Sequence, residues 1–317
     1  MKSKQTLILT RSQVESLITF KDALAAMETV FRSHGEGKSF NLTKNFQIST
    51  GPISIKAGAV ESIGLAGLKS LGLVVVCSLD RLREPVAILE QSYITFLRTG
   101  AAGALATRYL ARPESKTVGI LGSGRQARAQ LEGLYSVFPG LKEAFVWSPT
   151  SEHRHRFVAE MRERIRGLHI EAVDEPRKAV QDRDIVITAT RAKKPLVEKD
   201  WITLGTHITA VGVDYPGSAE LSVPLLQASR IFTDDLEQAS WMGTINTGIS
   251  QGTLDLKKDV AGSLGQVVAS LNPGRRTAQE ITVFDCSGLG MMDVALADLV
   301  VKRAEKQPSL PRVDWLG

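Results

Sequence analysis

Lys116-Thr-Val-Gly-Ile-Leu-Gly-Ser-Gly-Arg-Gln-Ala-Arg-Ala-Gln-Leu131 decides the fold of this 317-residue chain. Val118 to Leu121 is a short, continuous apolar run, the mark of a strand buried on both faces. The run breaks at Gly122-Ser123-Gly124 and resumes from Arg125 in good helix formers. Strand, glycine turn and helix together make a G-x-G-x-x-A dinucleotide fingerprint at Gly122, Gly124 and Ala127. Gly122 permits the tight turn, Gly124 lets a pyrophosphate approach the backbone, and Ala127 lets the helix pack on the strand. The helix start, with Ser123, Arg125 and Gln126, offers unpaired N–H groups and a partial positive charge to phosphates.

Downstream of this stretch, short apolar strands at 143–148, 169–173, 184–190, 207–213, 229–234 and 281–287 follow one another. Helical segments at 125–137, 151–166 and 176–180 separate the first of them, the alternation of a parallel α/β sheet. Upstream the character differs. A capping-box pattern, Thr10 with Gln13, opens a helix to about residue 18, and a second helix covers 21–34. Residues 39–76 are β-rich pieces broken by glycine and polar residues, among them 46–49, 53–57, 64–69 and 73–79, and read as an open or antiparallel sheet. A turn at 80–85 and a strand at 86–90 lead to a long helix over 91–110. Its small residues at 101–106 suit close backbone approach. Arg112-Pro113 breaks the pattern and sets a boundary between domains 1–112 and 113–290. The apolar C-terminal helix, from about 290 to 305, returns residues 291–317 to the first domain.

Composition is that of a globular protein, with 43% hydrophobic and 23% charged residues, which excludes a disordered or low-complexity chain. No run has the length of a membrane span, the first ten residues do not read as a signal peptide, and no membrane partner is expected. The two cysteines, Cys77 and Cys286, sit in apolar sequence and read as thiols of a cytoplasmic protein. The net charge of +5 is spread out. Its densest patches, 153–166 and Lys193-Lys194, read as solvated faces rather than a nucleic-acid surface. The five histidines show no metal-ligand spacing, so no metal is expected.

An acid at the end of the second strand would bind the ribose hydroxyl of NAD. Ser148 stands there instead, followed by Thr150, His153 and Arg154. Hydroxyls and a cation suit a 2′-phosphate, so NADP(H) is the favoured cofactor and NAD(H) the alternative. The same residues also read as a helix cap with solvated basic neighbours. Thr188-Ala189-Thr190, at a strand end, is placed against the nicotinamide half. Val213 and Asp214 end another strand before Pro216-Gly217; there a carboxylate faces the ligand crevice of an α/β sheet, although a plain turn-former reads equally well. Lys69 and Arg98 lie in apolar sequence. Singly each reads as a snorkelling cation; together they suit an α-carboxylate, with Arg98 as a bidentate clamp.

Several segments together resemble the ornithine cyclodeaminase/mu-crystallin family. They are Gly67-Leu-Lys69, the run from Arg98-Thr-Gly-Ala-Ala-Gly, Gly119-Ile-Leu-Gly-Ser-Gly-Arg-Gln-Ala127, Thr188-Ala-Thr190, Gly212-Val-Asp-Tyr-Pro-Gly217 and Asp285-Cys-Ser-Gly-Leu-Gly-Met-Met-Asp293. The resemblance implies a Rossmann domain and an α+β substrate and dimerisation domain built from both chain ends, in a homodimer whose sheets associate. It implies an NAD(P)H-dependent reductase of a small, carboxylate-bearing imino acid, giving an L-amino acid. A cyclodeaminase that converts ornithine to proline, and an NADP-dependent binding protein of the mu-crystallin kind, are the alternatives. By the same resemblance Lys69 and Arg98 hold the substrate carboxylate, Asp214 assists proton transfer with Lys69 as rival, and Val213 and Ser287 lie by the cofactor. Lys56, where the cyclodeaminase branch carries a glutamate, is placed with the substrate-binding residues; Thr244 stands where an acid is frequent. Both departures weaken recognition of a distal ammonium such as that of ornithine.

Overall fold

Alternation of side chains explains the first sheet better than hydrophobicity does. The structure, a computed structural model, describes residues 5–49, 51–212 and 219–314, with all their side chains except those at 52, 82 and 83. The chain divides into two compact units, Met1–Arg98 with Gly288–Gly317, and Thr99–Ser287. The division falls inside the long helix, Gln91–Leu110, whereas the sequence reading sets it at the break after Arg112.

The first unit holds β1 (Thr6–Leu9), β2 (Ser39–Ile48), β3 (Gly51–Val60), β4 (Leu65–Ser70), β5 (Leu73–Ser78) and β6 (Arg81–Glu90). With a short C-terminal strand, Arg312–Val313, beside β1, they form a seven-stranded sheet in which β2 to β6 make an antiparallel meander. Register partners lie on one face of a sheet. Thr43, Lys56, Lys69, Val74, Leu89 and Leu9 form one row across six strands, all buried. Leu42, Ala57, Leu68, Val75, Ile88 and Ile8 form the next row, on the opposite face, and none of them is buried. The sheet is inverted over β2: Ser39, Asn41 and Thr43 point inward and Phe40 and Leu42 outward. That inversion is why the first half of β2 reads poorly as a strand. Asn41 faces inward because its Oδ1 accepts the Gly290 amide at 2.8 Å, at the start of the helix Gly290–Ala304. The sheet's inner face carries that helix, which packs against β3 and β4. The expected turn at 80–85 is instead mostly strand, since β6 starts at Arg81 and tolerates Pro85 at a register shift.

The second unit holds β7 (Thr117–Leu121), β8 (Glu143–Trp147), β9 (His169–Ala172), β10 (Ile185–Thr188), β11 (His207–Ala210), β12 (Arg230–Thr233), β13 (Val260–Ser263) and β14 (Thr282–Asp285). Every pairing is parallel, in the order β13-β12-β14-β11-β10-β7-β8-β9. The strand order reverses between β7 and β10, the switch point where doubly wound sheets bind ligands. The strands are apolar on both faces, and clusters around Val186, Ile208 and Val283 and around Ile120, Phe157 and Val146 bury them. No disulfide forms at either cysteine, and no helix among the described residues is long and apolar enough to cross a membrane.

Candidate functional site

The glycine turn in the second unit fits a pyrophosphate. Gly122 lies at φ +110°, where an added Cβ would stand 2.4 Å from the Ala189 carbonyl oxygen, so no other residue fits. Gly124 is the N-cap of the helix Arg125–Val137; no side chain caps that end, and a Cβ at Gly124 would meet nothing within 4 Å. With glycine at the N-cap, the first N–H groups of the helix receive no cap from that residue and the turn has room beside it, an arrangement suited to a phosphate. Arg125 is exposed and Gln126 half-buried at the helix start, while Ala127 is fully buried against the strand. Arg128, which sequence reasoning missed, holds the turn by donating to the Ser123 and Gly124 carbonyls while its other edge pairs with Glu160.

At the end of β8 the hydroxyl of Ser123 donates to that of Ser148 at 2.9 Å. Arg154 Nη1 donates to the Ser148 carbonyl at 3.0 Å, Thr150 is the N-cap of the helix Ser151–Arg164, and His153 is exposed on it. Ser148 rather than an acid follows the last strand residue, Trp147. An open cleft of about 380 Å³, lined by Arg154, His155 and Lys178 together with the acids Glu171 and Asp174, lies beside it.

At the ends of β10 and β14 sit buried acids that sequence reasoning also missed. Thr188 is fully buried with its hydroxyl committed to Glu220 at 2.7 Å, so its side chain braces the strand end rather than lining it. Thr190 is half-buried beside Ala189, whose amide donates to the Leu121 carbonyl at 2.8 Å. Asp285 accepts the amides of Thr244 and Ile245 at 3.0 and 3.1 Å, and burial pushes its carboxyl up to about 7, with the neighbouring Asp234 and Glu220 adding to the shift. Ser287 is buried between Asp234, to which it donates at 2.7 Å, and Gln238, which donates to it at 2.8 Å. Val213 and Asp214 lie outside the described residues.

In the first unit the structure brings Lys56, Lys69 and Arg98 into one buried region. Lys56 and Lys69 are register partners on β3 and β4. The Lys69 ammonium stands 3.1 and 3.2 Å from the two oxygens of Asp293, and Arg98 Nε 3.5 Å from one of them. Lys56 donates to the Gly288 carbonyl at 2.9 Å. Gly288 has φ +80°, and a Cβ there would fall 2.3 Å from Arg98 Nη1, so glycine makes room for the guanidinium. Asp293 is the missing piece of the sequence reading. Its signal was an acid in an otherwise apolar helix run, Met291 to Leu296, which survives burial only if paired. One buried carboxylate holding two cations, with a third nearby, is a region that favours an anion.

A parallel-sheet dinucleotide unit and a separate unit with buried cations define the class of protein. Residues 64–308 match the ornithine cyclodeaminase/mu-crystallin family, and the chain belongs to it. It is 37% identical to an alanine dehydrogenase from Archaeoglobus fulgidus, with 95% of each chain covered. Among solved structures, an archaeal alanine dehydrogenase dimer with bound NAD superposes with a TM-score of 0.92 at 34% identity, covering 98% of this chain and 99% of that one. The Thermococcus litoralis Δ1-pyrroline-2-carboxylate reductase in complex with NADH and L-proline also gives 0.92, at 30% identity, covering 97% and 100%.

Proposed function

We propose that this chain reduces a small imino acid to an L-amino acid with a nicotinamide dinucleotide. The observation that carries the reading is the Lys69–Asp293–Arg98 arrangement, a buried cation pair fit for a carboxylate, in a chain whose other unit bears the open glycine turn. A bound reduced nicotinamide supplies the hydride. Arg98 offers two parallel donors to the substrate carboxylate and Lys69 a point charge, with Asp293 fixing both cations before substrate arrives. Lys56 adds positive potential on the same sheet face. Asp214 keeps the imine nitrogen protonated, since an iminium accepts a hydride more readily than a neutral imine; Lys69 is the rival proton source. The relatives named above, an alanine dehydrogenase and a pyrroline carboxylate reductase, act on compounds that share an α-carboxylate and a C–N bond, which supports the same reading.

A substrate screen tests it: NADPH and NADH oxidation with pyrroline and piperideine carboxylates, and with pyruvate plus ammonia or methylamine. Stoichiometric loss of the reduced cofactor is expected with at least one of them. Ammonia release from ornithine with no net absorbance change would instead identify a cyclodeaminase, and tight ligand binding without turnover a binding protein.

For the cofactor's ribose end we favour NADP(H), although the two solved relatives hold NAD and NADH. Ser148 replaces the acid that would repel a 2′-phosphate, and Arg154 is drawn to its carbonyl beside an open cleft. Arg154→Ala is expected to raise KM for NADPH about tenfold, the worth of one charge-assisted contact, and to leave KM for NADH within twofold. Equal effects on both cofactors would remove Arg154 from phosphate recognition.

The assembly we infer is a homodimer through the outer face of the first sheet. Phe40 and Leu42 are 61% and 56% exposed, and they continue across the sheet into Leu68 and Leu73. Contiguous exposed apolar side chains of this kind mark a surface that another molecule covers. The archaeal alanine dehydrogenase structure is described as a dimer. Leu42→Lys with Leu68→Lys should halve the mass seen by light scattering; an unchanged mass rules out this face.

A further inference from the structure

Among the described residues, the buried carboxylate of Glu220 has more donors aimed at it than its place in the strand end requires. Glu220 is fully buried, and its Oε1 accepts both the amide and the hydroxyl of Thr190, each at 2.7 Å. Its Oε2 accepts the hydroxyl of Thr188 at 2.7 Å, and the Gly212 amide also donates to the carboxylate. A Cβ on Gly212 would lie 2.1 Å from Oε2, so the backbone after β11 comes as close to this acid as a chain can. The main chain of Glu220 is equally engaged. Its carbonyl accepts the amides of Leu196 and Val197 at 2.8 and 3.1 Å, and its amide donates to the Thr244 hydroxyl at 3.1 Å. One residue therefore ties together the exit of β10, the exit of β11 and the loop at 240–246, all at the carboxyl edge of the parallel sheet. Burial raises its pKa, and the four donors aimed at it oppose that rise. A buried ionisable group so fully supplied with donors is costly to build and holds its donors in one geometry.

We propose that Glu220 is a positioning residue for the nicotinamide half of the cofactor, acting through Thr190 and the β10 exit rather than by touching the reacting atoms. This rests on the reading of the second unit as the nicotinamide dinucleotide holder. Glutamine at 220 keeps the shape but turns an NH2 toward donors, so at least one of the four loses its acceptor. The Thr190 segment then relaxes.

The experiment is fluorescence titration of the full-length protein with NADH or NADPH, whichever the unaltered chain binds more tightly, followed by steady-state kinetics. Glu220→Gln is expected to raise the cofactor Kd at least tenfold and its KM in step, with KM for the imine within twofold. Thr190→Val, which removes one donor, should weaken cofactor binding in the same direction, whereas Thr190→Ser, which keeps the hydroxyl, should stay within twofold of the unaltered chain. In the double variant Glu220→Gln with Thr190→Val, the second change should add less than twofold. A folded Glu220→Gln protein with unaltered cofactor Kd overturns the proposal, as do losses that multiply in the double variant. If Glu220→Gln does not fold, the Thr190 pair decides: equal Kd for the valine and serine variants overturns it. Failure of the unaltered chain to bind either cofactor would instead sink the functional reading and this proposal with it.

Discussion

Replacing Arg98 by methionine is expected to lower kcat/KM for the imino-acid substrate about 10³-fold and to leave cofactor affinity unchanged within twofold. The magnitude follows from chemistry. A bidentate guanidinium–carboxylate pair makes two charge-assisted hydrogen bonds, each worth roughly 1.5–3 kcal/mol, and a loss of about 4 kcal/mol is three powers of ten. Arg98 is 3% exposed, so water does not replace what is lost. Methionine keeps the apolar stem that packs in the helix. Asp293 is not orphaned by the change, because Lys69 still stands 3.1 Å away, and the protein should fold. Arg98→Lys restores charge without the planar fork and should recover only part of the loss. Steady-state kinetics on the substrate that the screen returns, with a parallel cofactor titration, measures both quantities. A drop of less than tenfold would remove Arg98 from carboxylate recognition and leave it a structural partner of Asp293. Lys69→Met gives a contrast: it takes from Asp293 its nearest cation, so stability and kcat/KM should fall together.

Arg98 also shows what kind of residue is legible in a sequence. A cation in apolar sequence declares that something must compensate it, and the glycine turn declares its geometry through the residues that frame it. The parallel strands β7, β8, β10, β11 and β14 stand out for the same reason, as apolar runs too short for helices. Asp293 announces only that a buried acid needs a partner, and Glu220 not even that, since the partners of both lie far along the chain. Lys69 and Asp293 are 224 positions apart, and Glu220 meets Thr188 over 32. No local pattern encodes such a pairing. The first half of β2 was hidden by its inverted alternation, with polar residues inward toward a helix start and apolar ones outward. The stretch from 236 to 268 was hidden differently. Its helices are four or five residues long and β13 is four, too short for periodicity to register. Side chains hold it in place instead, among them Asp285, whose carboxylate takes two amides of the 240–246 loop. The apolar run 207–213 makes Asp214 the residue that closes a buried strand, and its role is proposed on that ground.

One histidine, His207, should contribute less and less to the stability of the parallel sheet as the pH falls. It is fully buried in β11, with Nδ1 2.9 Å from the Thr282 hydroxyl and Nε2 3.0 Å from that of Thr209. Thr282 donates its own proton to the Leu110 carbonyl at 2.9 Å, which assigns Nδ1 of His207 as the donor and leaves Nε2 to accept. The ring is therefore satisfied as a neutral imidazole. Burial, and next the charge of Arg275, lower its pKa from 6.5 to about 3. A folded-state pKa below the unfolded one means that the unfolded chain takes up the proton first. Stability is then full above pH 6.5 and falls as pH drops toward 3, by about 1.4 kcal/mol per unit. Asp285 works the other way, because its raised carboxyl binds a proton in the folded state between about pH 7 and 3.8, which stabilises the sheet over nearly the same range. The unaltered protein thus hides each contribution behind the other, and only a comparison isolates the histidine. His207→Asn, neutral at every pH, keeps a donor near the position of Nδ1 and leaves a small cavity whose cost does not depend on pH. Urea unfolding, followed by the fluorescence of Trp147, Trp201 and Trp241 in this unit, is to be compared at pH 7.5 and pH 4.5. The stability difference between the two proteins should shift by about 2.7 kcal/mol in favour of the variant at the lower pH. A difference that stays constant between those pH values would mean that His207 titrates normally in the folded protein, and that water or a rearranged Thr209 reaches the ring.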